Sequence, residues 1–335
     1  MGAVTRSVVV AHNPVGEEDD PSTSDVLAQV GMVEEALAAL GLPARRLAAD
    51  PGRALEVFLG IDREKTLVFN LIESPPGRPW LHTDCAAVLE LAGLPFTGST
   101  PAALALTTDK LATRALLASE GVSVAPGGRL DLDRPCVLDR LFNQIPPPWI
   151  LKPAFEDASI GLEGDPVCHT REAALERGAA LARRFPKQPV LVERYLPGRE
   201  LNVSLLADGS GVQVLPVAEI LFEGFPEGMS RVIGYEAKWI EDSFACIHTV
   251  RHFPEGPEDA ELLGRVREIA AASWHLCGLS GYARIDFRLD EHGAPNVLEV
   301  NANPCLSADA GFMAAAGRAG LSHADVVRRI LEAAL

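Results

Sequence analysis

The chemistry of this chain concentrates in ARIDFRLDEHGAPNVLEVNANP, residues 283–304. Apolar and polar residues alternate there with period two, so two neighbouring strands joined by a hairpin turn at Gly293 are expected. Asp286 stands on the first strand, with Glu299 and Asn301 on the second. Being two apart, the last two face the same way. Three hard oxygen donors on a rigid sheet suit magnesium, which takes a few ligands from protein and completes its octahedron with water and nucleotide phosphate. Arg284 lies two residues before Asp286 and shares its face. The same trio could instead be a polar cluster that stabilises a turn, and one hairpin does not decide between the two.

Positioning such a hairpin takes an α/β chain of some size. SVVVAH reads as a strand, VLAQVGMVEEALAALG as an amphipathic helix that begins near Ser24 or Asp25, and LVFNL as a second buried strand. The intervening loop HNPVGEEDDPSTSD lacks GxGxxG spacing, so no nicotinamide cofactor is expected. TTDKLATRALLASEGV has helical periodicity ending at Gly121 and opens a second unit. The proline-bearing run RPCVLDRLFNQIPPPW reads as a connector. ILKPAF and VLVERYL then read as strands flanking the helix TREAALERGAALARRF, with the polar loop EDASIG between them. The remainder holds further strands, an irregular segment around FEGFPEGMSRVIGYEAKW, the helix ELLGRVREIAAASWHL and the hairpin. The expected division is 1–103, 104–190 and 191–335.

Composition narrows the function. With 335 residues and a net charge of -16, the chain lacks the clustered Lys and Arg of a nucleic-acid binder. No apolar run approaches the ~20 residues of a membrane span, so a cytoplasmic protein without membrane partners is expected. The six cysteines show no CxxC pair and read as reduced thiols rather than a zinc site.

In order, the segments LELAGLPFTGSTPAALALTTDKLATRALLASEGV, WILKPAFEDASIG, VLVERYLPGRELNV, GYEAKW, GYARIDFRLD and LEVNANP resemble the ATP-grasp superfamily, and within it the D-alanine–D-alanine ligase family. The resemblance runs from about Leu89 to the C-terminus. It implies an α/β (α+β) ATP-grasp fold of three units, ATP held between the central and C-terminal ones, magnesium or manganese as the metal, and small-molecule acid and amine substrates joined through an acyl phosphate. A homodimer through the first unit is also implied. By the same resemblance Lys110 and Lys152 contact the nucleotide phosphates, Glu193 accepts from the adenine amino group, the backbone of Arg194, Tyr195 and Leu196 lines the base, and Glu200 holds the ribose. Ser159 of EDASIG serves the phosphate loop, Lys238 meets the transferred phosphoryl group, and Arg284 steadies the oxyanion. Beside two phosphate lysines, Asp286, Glu299 and Asn301 are read as metal ligands.

The amino-acid half departs from the family. Ala158 stands where the dipeptide ligases carry a loop serine, Trp239 where they carry a tyrosine, Glu73-Ser74 where they carry His-Gly, and Cys305 through Ala310 where they carry Gly-Met-Thr-Ser-His-Ser. Glu73 could pair with an ammonium group or be a surface carboxylate, Arg231 and Trp239 belong to the segment that closes on substrate, and Cys305 suits a tight turn. The expected activity is therefore an ATP-dependent carboxylate–amine ligase acting on amino acids or similar molecules. A true D-alanine–D-alanine ligase with a rebuilt pocket and a catalytically silent nucleotide-binding regulator are the alternatives.

Overall fold

The computed structural model describes residues 6–15, 21–49, 51–74, 77–209 and 211–335. Strand β1 (Ser7–His12) lies between β2 (Ala44–Ala48) and β3 (Thr66–Leu71) in a parallel three-stranded sheet. An unbroken apolar run suits a parallel strand covered on both faces. Val8 and Val10 meet Val30, Val33 and Leu37 of the helix Pro21–Ala39 on one side, while Val9 and Ala11 meet Phe58 and Leu89 on the other.

The second sheet runs β4 (Gly127–Leu130), β7 (Val190–Arg194), β5 (Trp149–Pro153), β6 (Val167–Cys168), all antiparallel. The third runs β11 (Thr249–His252), β10 (Ala218–Phe222), β8 (Glu200–Asp208), β12 (Tyr282–Leu289), β13 (Pro295–Ala302), with β9 (Gly211–Val214) paired to β8. Its inner face, including Leu201, Val203, Ile285, Phe287 and Val297, packs on the helix Ala260–Leu276. The C-terminal helices Gly311–Arg318 and His323–Glu332 return to the first sheet and share its core through Phe312, Val326 and Ile330.

Several expectations change. RPCVLDRLFNQIPPPW is not a plain connector: Pro135–Gln144 is a helix with Leu138 and Phe142 buried. Proline is harmless in a first helical turn, where its missing N–H has no partner to lose; the other three prolines follow the helix. The first long helix begins at Pro21 rather than at Ser24 or Asp25, and residues 16–20 of the preceding loop lie outside the described residues. Strand β2 was not anticipated, because ARRLA is mostly exposed and carries no apolar alternation. TTDK spans two helices, Pro101–Thr108 and Lys110–Ser119, and the Asp109 side chain caps the second by accepting from the N–H groups of Leu111 and Ala112. Ala103 and Leu117 on these helices belong to the core of the third sheet. The expected boundary at 190 falls inside β7, which is part of the second sheet.

Candidate active site

A cavity of about 590 Å³ lies between the second and third sheets and reaches the first unit. The third sheet is its floor. Ile285 and Phe287 face the core, so the alternate residues Arg284, Asp286 and Arg288 of β12 face the cavity. Register brings Asn202 of β8 opposite Asp286 and Glu200 opposite Arg288. On β13 the ladder is irregular after the pair Asp286–Glu299: Phe287 pairs with Val297 and Leu298 is the extra residue. A bulge re-aims side chains. Val297 and Val300 stay in the core while Leu298, Glu299 and Asn301 all line the cavity.

The wall that carries Lys110, Lys152, Glu193 and Glu200 is a lattice of ion pairs. Lys110, at the start of its helix and 7% exposed, sits 2.7 Å from Glu299, 3.0 Å from Asp157 and donates to the Glu156 carbonyl at 2.6 Å. Burial alone would lower the Lys110 pKa, but Asp157 and Glu299 outweigh it and raise it. Burial would likewise raise Glu299, yet the charges of Lys110 and Lys152 hold its carboxyl well below the usual range. Lys152 of β5 lies 2.8 Å from the buried Glu193, with Arg114 3.5 Å away on the carboxylate's other oxygen. Glu200 is 2.5 Å from Arg288, whose guanidinium also donates to the carbonyls of Leu196 and Arg231 and lies over the Tyr195 ring.

Arg284 clasps Asp286 through two hydrogen bonds of 2.7 and 2.8 Å, and Asn202 and Asn301 donate to the same carboxylate at 2.8 and 3.0 Å. These contacts leave the Asn301 carbonyl for another partner. Among the described residues no three His, Cys, Asp or Glu side chains gather as metal ligands. The anticipated trio instead supplies two carboxylates and one amide carbonyl, a hard-oxygen set that suits magnesium.

Over the floor, the loop containing Ala158 and Ser159 meets the segment that carries Lys238. Both loop residues have positive φ, 57° and 63°, a conformation that ordinary side chains adopt only when surroundings impose it. Those surroundings are visible: the Ser159 hydroxyl donates to the Ile233 carbonyl at 2.8 Å, and the Trp239 indole N–H donates to the Ala158 carbonyl at 2.9 Å. An indole-to-carbonyl bond thus links Trp239 to Ala158. Ser159 lines the cavity, but its hydroxyl proton is committed to the opposing segment.

Lys238 lines the cavity with its side chain exposed to it. Burial and the neighbouring Arg284 lower its pKa. On the first-unit wall, Glu73 takes a 2.7 Å hydrogen bond from Gln29 and is pushed up by burial. Cys305 donates to Asp25 at 2.9 Å, and burial with that carboxylate pushes its thiol up to about 12, the opposite of what a reactive thiolate needs.

Sixteen of the seventeen anticipated residues therefore border one cavity. Arg231 does not: its side chain is exposed, and only its carbonyl reaches inward to Arg288. The sequence reading missed Arg288, Asn202, Arg114 and Asp157. Arg288 was signalled by alternation with Arg284 and Asp286; the others depend on strand register and helix packing.

The family model described as D-ala D-ala ligase C-terminus matches residues 130–332. The chain belongs to the D-alanine–D-alanine ligase family. An uncharacterized protein of Sinorhizobium fredii is 34% identical over 84% of this chain and 79% of its own. The D-alanine–D-alanine ligase of Bordetella petrii is 32% identical over 73% of this chain and 70% of its own. A crystal structure of the Bacillus anthracis D-alanine–D-alanine ligase complexed with ATP superposes with a TM-score of 0.76 at 19% identity, covering 98% of this chain and 97% of that one; that likeness speaks for the ATP-grasp fold. As a member of the D-alanine–D-alanine ligase family, this chain is an ATP-using ligase that forms carbon–nitrogen bonds. No helix among its described residues is long and apolar enough to cross a membrane.

Proposed function

We propose that this ligase activates a carboxylic acid as an acyl phosphate and passes the acyl group to an amine, on amino acids or amino-acid-like molecules other than a pair of D-alanines. The observation that carries the reading is the convergence of Lys110, Lys152, Lys238 and Arg284 with Asp286, Glu299 and Asn301 in one cavity. A carboxylate is a poor acyl donor because its leaving group would be oxide. Its oxygen attacks the γ-phosphorus of ATP, the bond to the bridging oxygen breaks, and ADP leaves. Positive charge around the transferred group lowers the barrier chiefly by positioning and electrostatics.

In this reading Lys110 and Lys152 hold phosphate oxygens, and Glu193, the Arg194–Leu196 backbone and Glu200 take the base and ribose. Lys238 faces the transferred phosphoryl group. The amine then attacks the acyl carbon, phosphate leaves with the bonding pair, and the ammonium proton is lost to solvent or a base. Arg284 stabilises the intervening oxyanion. Asp286, Glu299 and Asn301 would hold magnesium, which when bound supplies charge neutralisation at the phosphates.

The substrate half supports a different acid and amine from the dipeptide ligases. Ala158 and Trp239 are joined backbone to indole, and Glu73 replaces the family's histidine. The test is a screen of amino-acid pairs for ADP formation, with products read by mass spectrometry. An amide product from a pair other than D-alanine with itself is expected; brisk turnover on D-alanine alone would make this a true D-alanine–D-alanine ligase, and ATP binding without ADP formation on any pair would make it a silent regulator.

A further inference from the structure

Amide formation needs a group that takes a proton from the attacking ammonium, because the nitrogen has no lone pair until that proton is gone. Most acidic groups of the cavity are committed elsewhere. Asp157, Glu193, Glu200, Asp286 and Glu299 each lie within 3.0 Å of a lysine or arginine, and an adjacent cation disfavours the protonated carboxyl. His82 also borders the cavity, but its ring nitrogens lie 2.5 Å from the Ser74 hydroxyl and 3.1 Å from that of Thr108.

Glu73 differs from all of these. No lysine, arginine or histidine among the described residues pairs with it, and its side chain is oriented by a neutral amide. Gln29 donates to Glu73 Oε1 at 2.7 Å, while the Gln29 carbonyl accepts from the Leu306 N–H at 3.1 Å. The Asn13 side chain clamps the backbone, accepting from the Glu73 N–H at 2.7 Å and donating to its carbonyl at 2.8 Å. Among the described residues the other carboxylate oxygen takes no hydrogen bond, and the residue borders the cavity. Facing it are Asp25, Asp157, Lys238 and Tyr282. Burial raises the Glu73 pKa and Asp25 and Asp157 add to this, against the Gln29 bond and Lys238. A carboxylate raised above its usual range is better matched to proton transfer near neutral pH.

We propose that Glu73 is the general base of the second half-reaction. A carboxylate oxygen takes one proton from the ammonium, the freed lone pair forms the carbon–nitrogen bond, and phosphate leaves with the electron pair of the carbon–oxygen bond. Glu73 then returns its proton to solvent. This rests on the ligase reading for the acyl phosphate that the amine attacks. The Gln29 bond holds the carboxylate without neutralising it, which leaves its charge for the incoming proton.

The experiment compares two nucleophiles on the full chain with ATP, magnesium and saturating acid. One is the amine from the pair screen, an ammonium ion at neutral pH; the other is hydroxylamine, which is already neutral there and needs no base. Amide and hydroxamate are read by mass spectrometry. Glu73→Gln should lower kcat for the amide about 10²-fold, the scale of general-base assistance, and leave hydroxamate formation little changed. In the wild type the amide rate should rise with pH through a midpoint above the ordinary glutamate range, since a base works deprotonated. Glu73→Gln should lose that limb and recover as pH approaches the amine's own pKa, whereas Glu73→Asp should keep the limb and part of the rate. Unchanged affinity for a non-hydrolysable ATP analogue certifies that the variants fold; if Glu73→Gln does not, Glu73→Asp should still lower the amide-to-hydroxamate ratio severalfold. Equal losses on both nucleophiles would make Glu73 a binding or structural group, and a raised KM for the amine at unchanged kcat would make it a binding group alone; either overturns the inference. A wild-type chain that forms hydroxamate from no acid would remove the ligase reading and the base with it, whereas an undiminished amide rate in Glu73→Gln would remove the base alone.

Discussion

Glu299 is held ionised by two lysines, one of them 2.7 Å away, and a magnesium site needs that charge. Glu299→Gln preserves shape and removes charge, so ADP formation should fall by ~10²–10³, the scale of losing one well-placed electrostatic group. Arg284→Ala should leave nucleotide affinity within a few-fold while lowering turnover by a similar factor; calorimetry and a coupled ADP assay separate the two. Lys238 supplies a pH prediction. A lysine is charged below its pKa, and burial with Arg284 lowers this one. In the free enzyme kcat/KM should therefore decline as pH rises, beginning below the ordinary lysine value of about 10.4. Lys238→Arg should move that alkaline limb upward. The period-two pattern made Asp286, Glu299 and Asn301 readable from the chain, since facing follows from alternation alone. A partner on another strand, such as Asn202, was not readable because the chain does not print its register.

At the scale of elements, the bulge at Leu298 and the connection between β7 and β8 do the aiming. Gly198 donates to the Leu289 carbonyl at 3.0 Å, and a Cβ there would come 2.5 Å from that same backbone oxygen. Gly198→Ala must shift the connection that carries Glu200, two residues on. KM for ATP should rise about tenfold, an effect the size of one lost polar contact, with kcat changed less; steady-state kinetics with varied ATP checks it. Hairpin, strands β5 and β7 and the helix Arg171–Arg184 follow from alternation and capping. The helix Pro135–Gln144 was hidden because its prolines sit where they do no harm, one inside the first turn and three beyond the end. Edge strand β2 was hidden by its exposure: its pairing to β1 is made by backbone, and its side chains record little of it.

For the whole molecule, β12 ties two cores together. Tyr282 at its start packs with Phe312 and the first sheet, while Ile285 and Phe287 pack beneath the third. With the C-terminal helices built into the first sheet's core, the first and third sheets should melt in one calorimetric transition. Phe287→Ala, at a fully buried site, should destabilise that transition by ~3–5 kcal/mol, and two resolved transitions would contradict the shared core. Segments that return to an earlier core, as the C-terminal helices do, leave no local mark in the chain. The central claim is that a carboxylate oxygen is transferred to phosphorus during amide formation. Its most direct measurement uses the acid identified in the pair screen, labelled with ¹⁸O in its carboxylate, and mass analysis of the phosphate released after turnover. An acyl-phosphate route places one carboxylate oxygen in each phosphate; phosphate free of label, with amide formed, would contradict it.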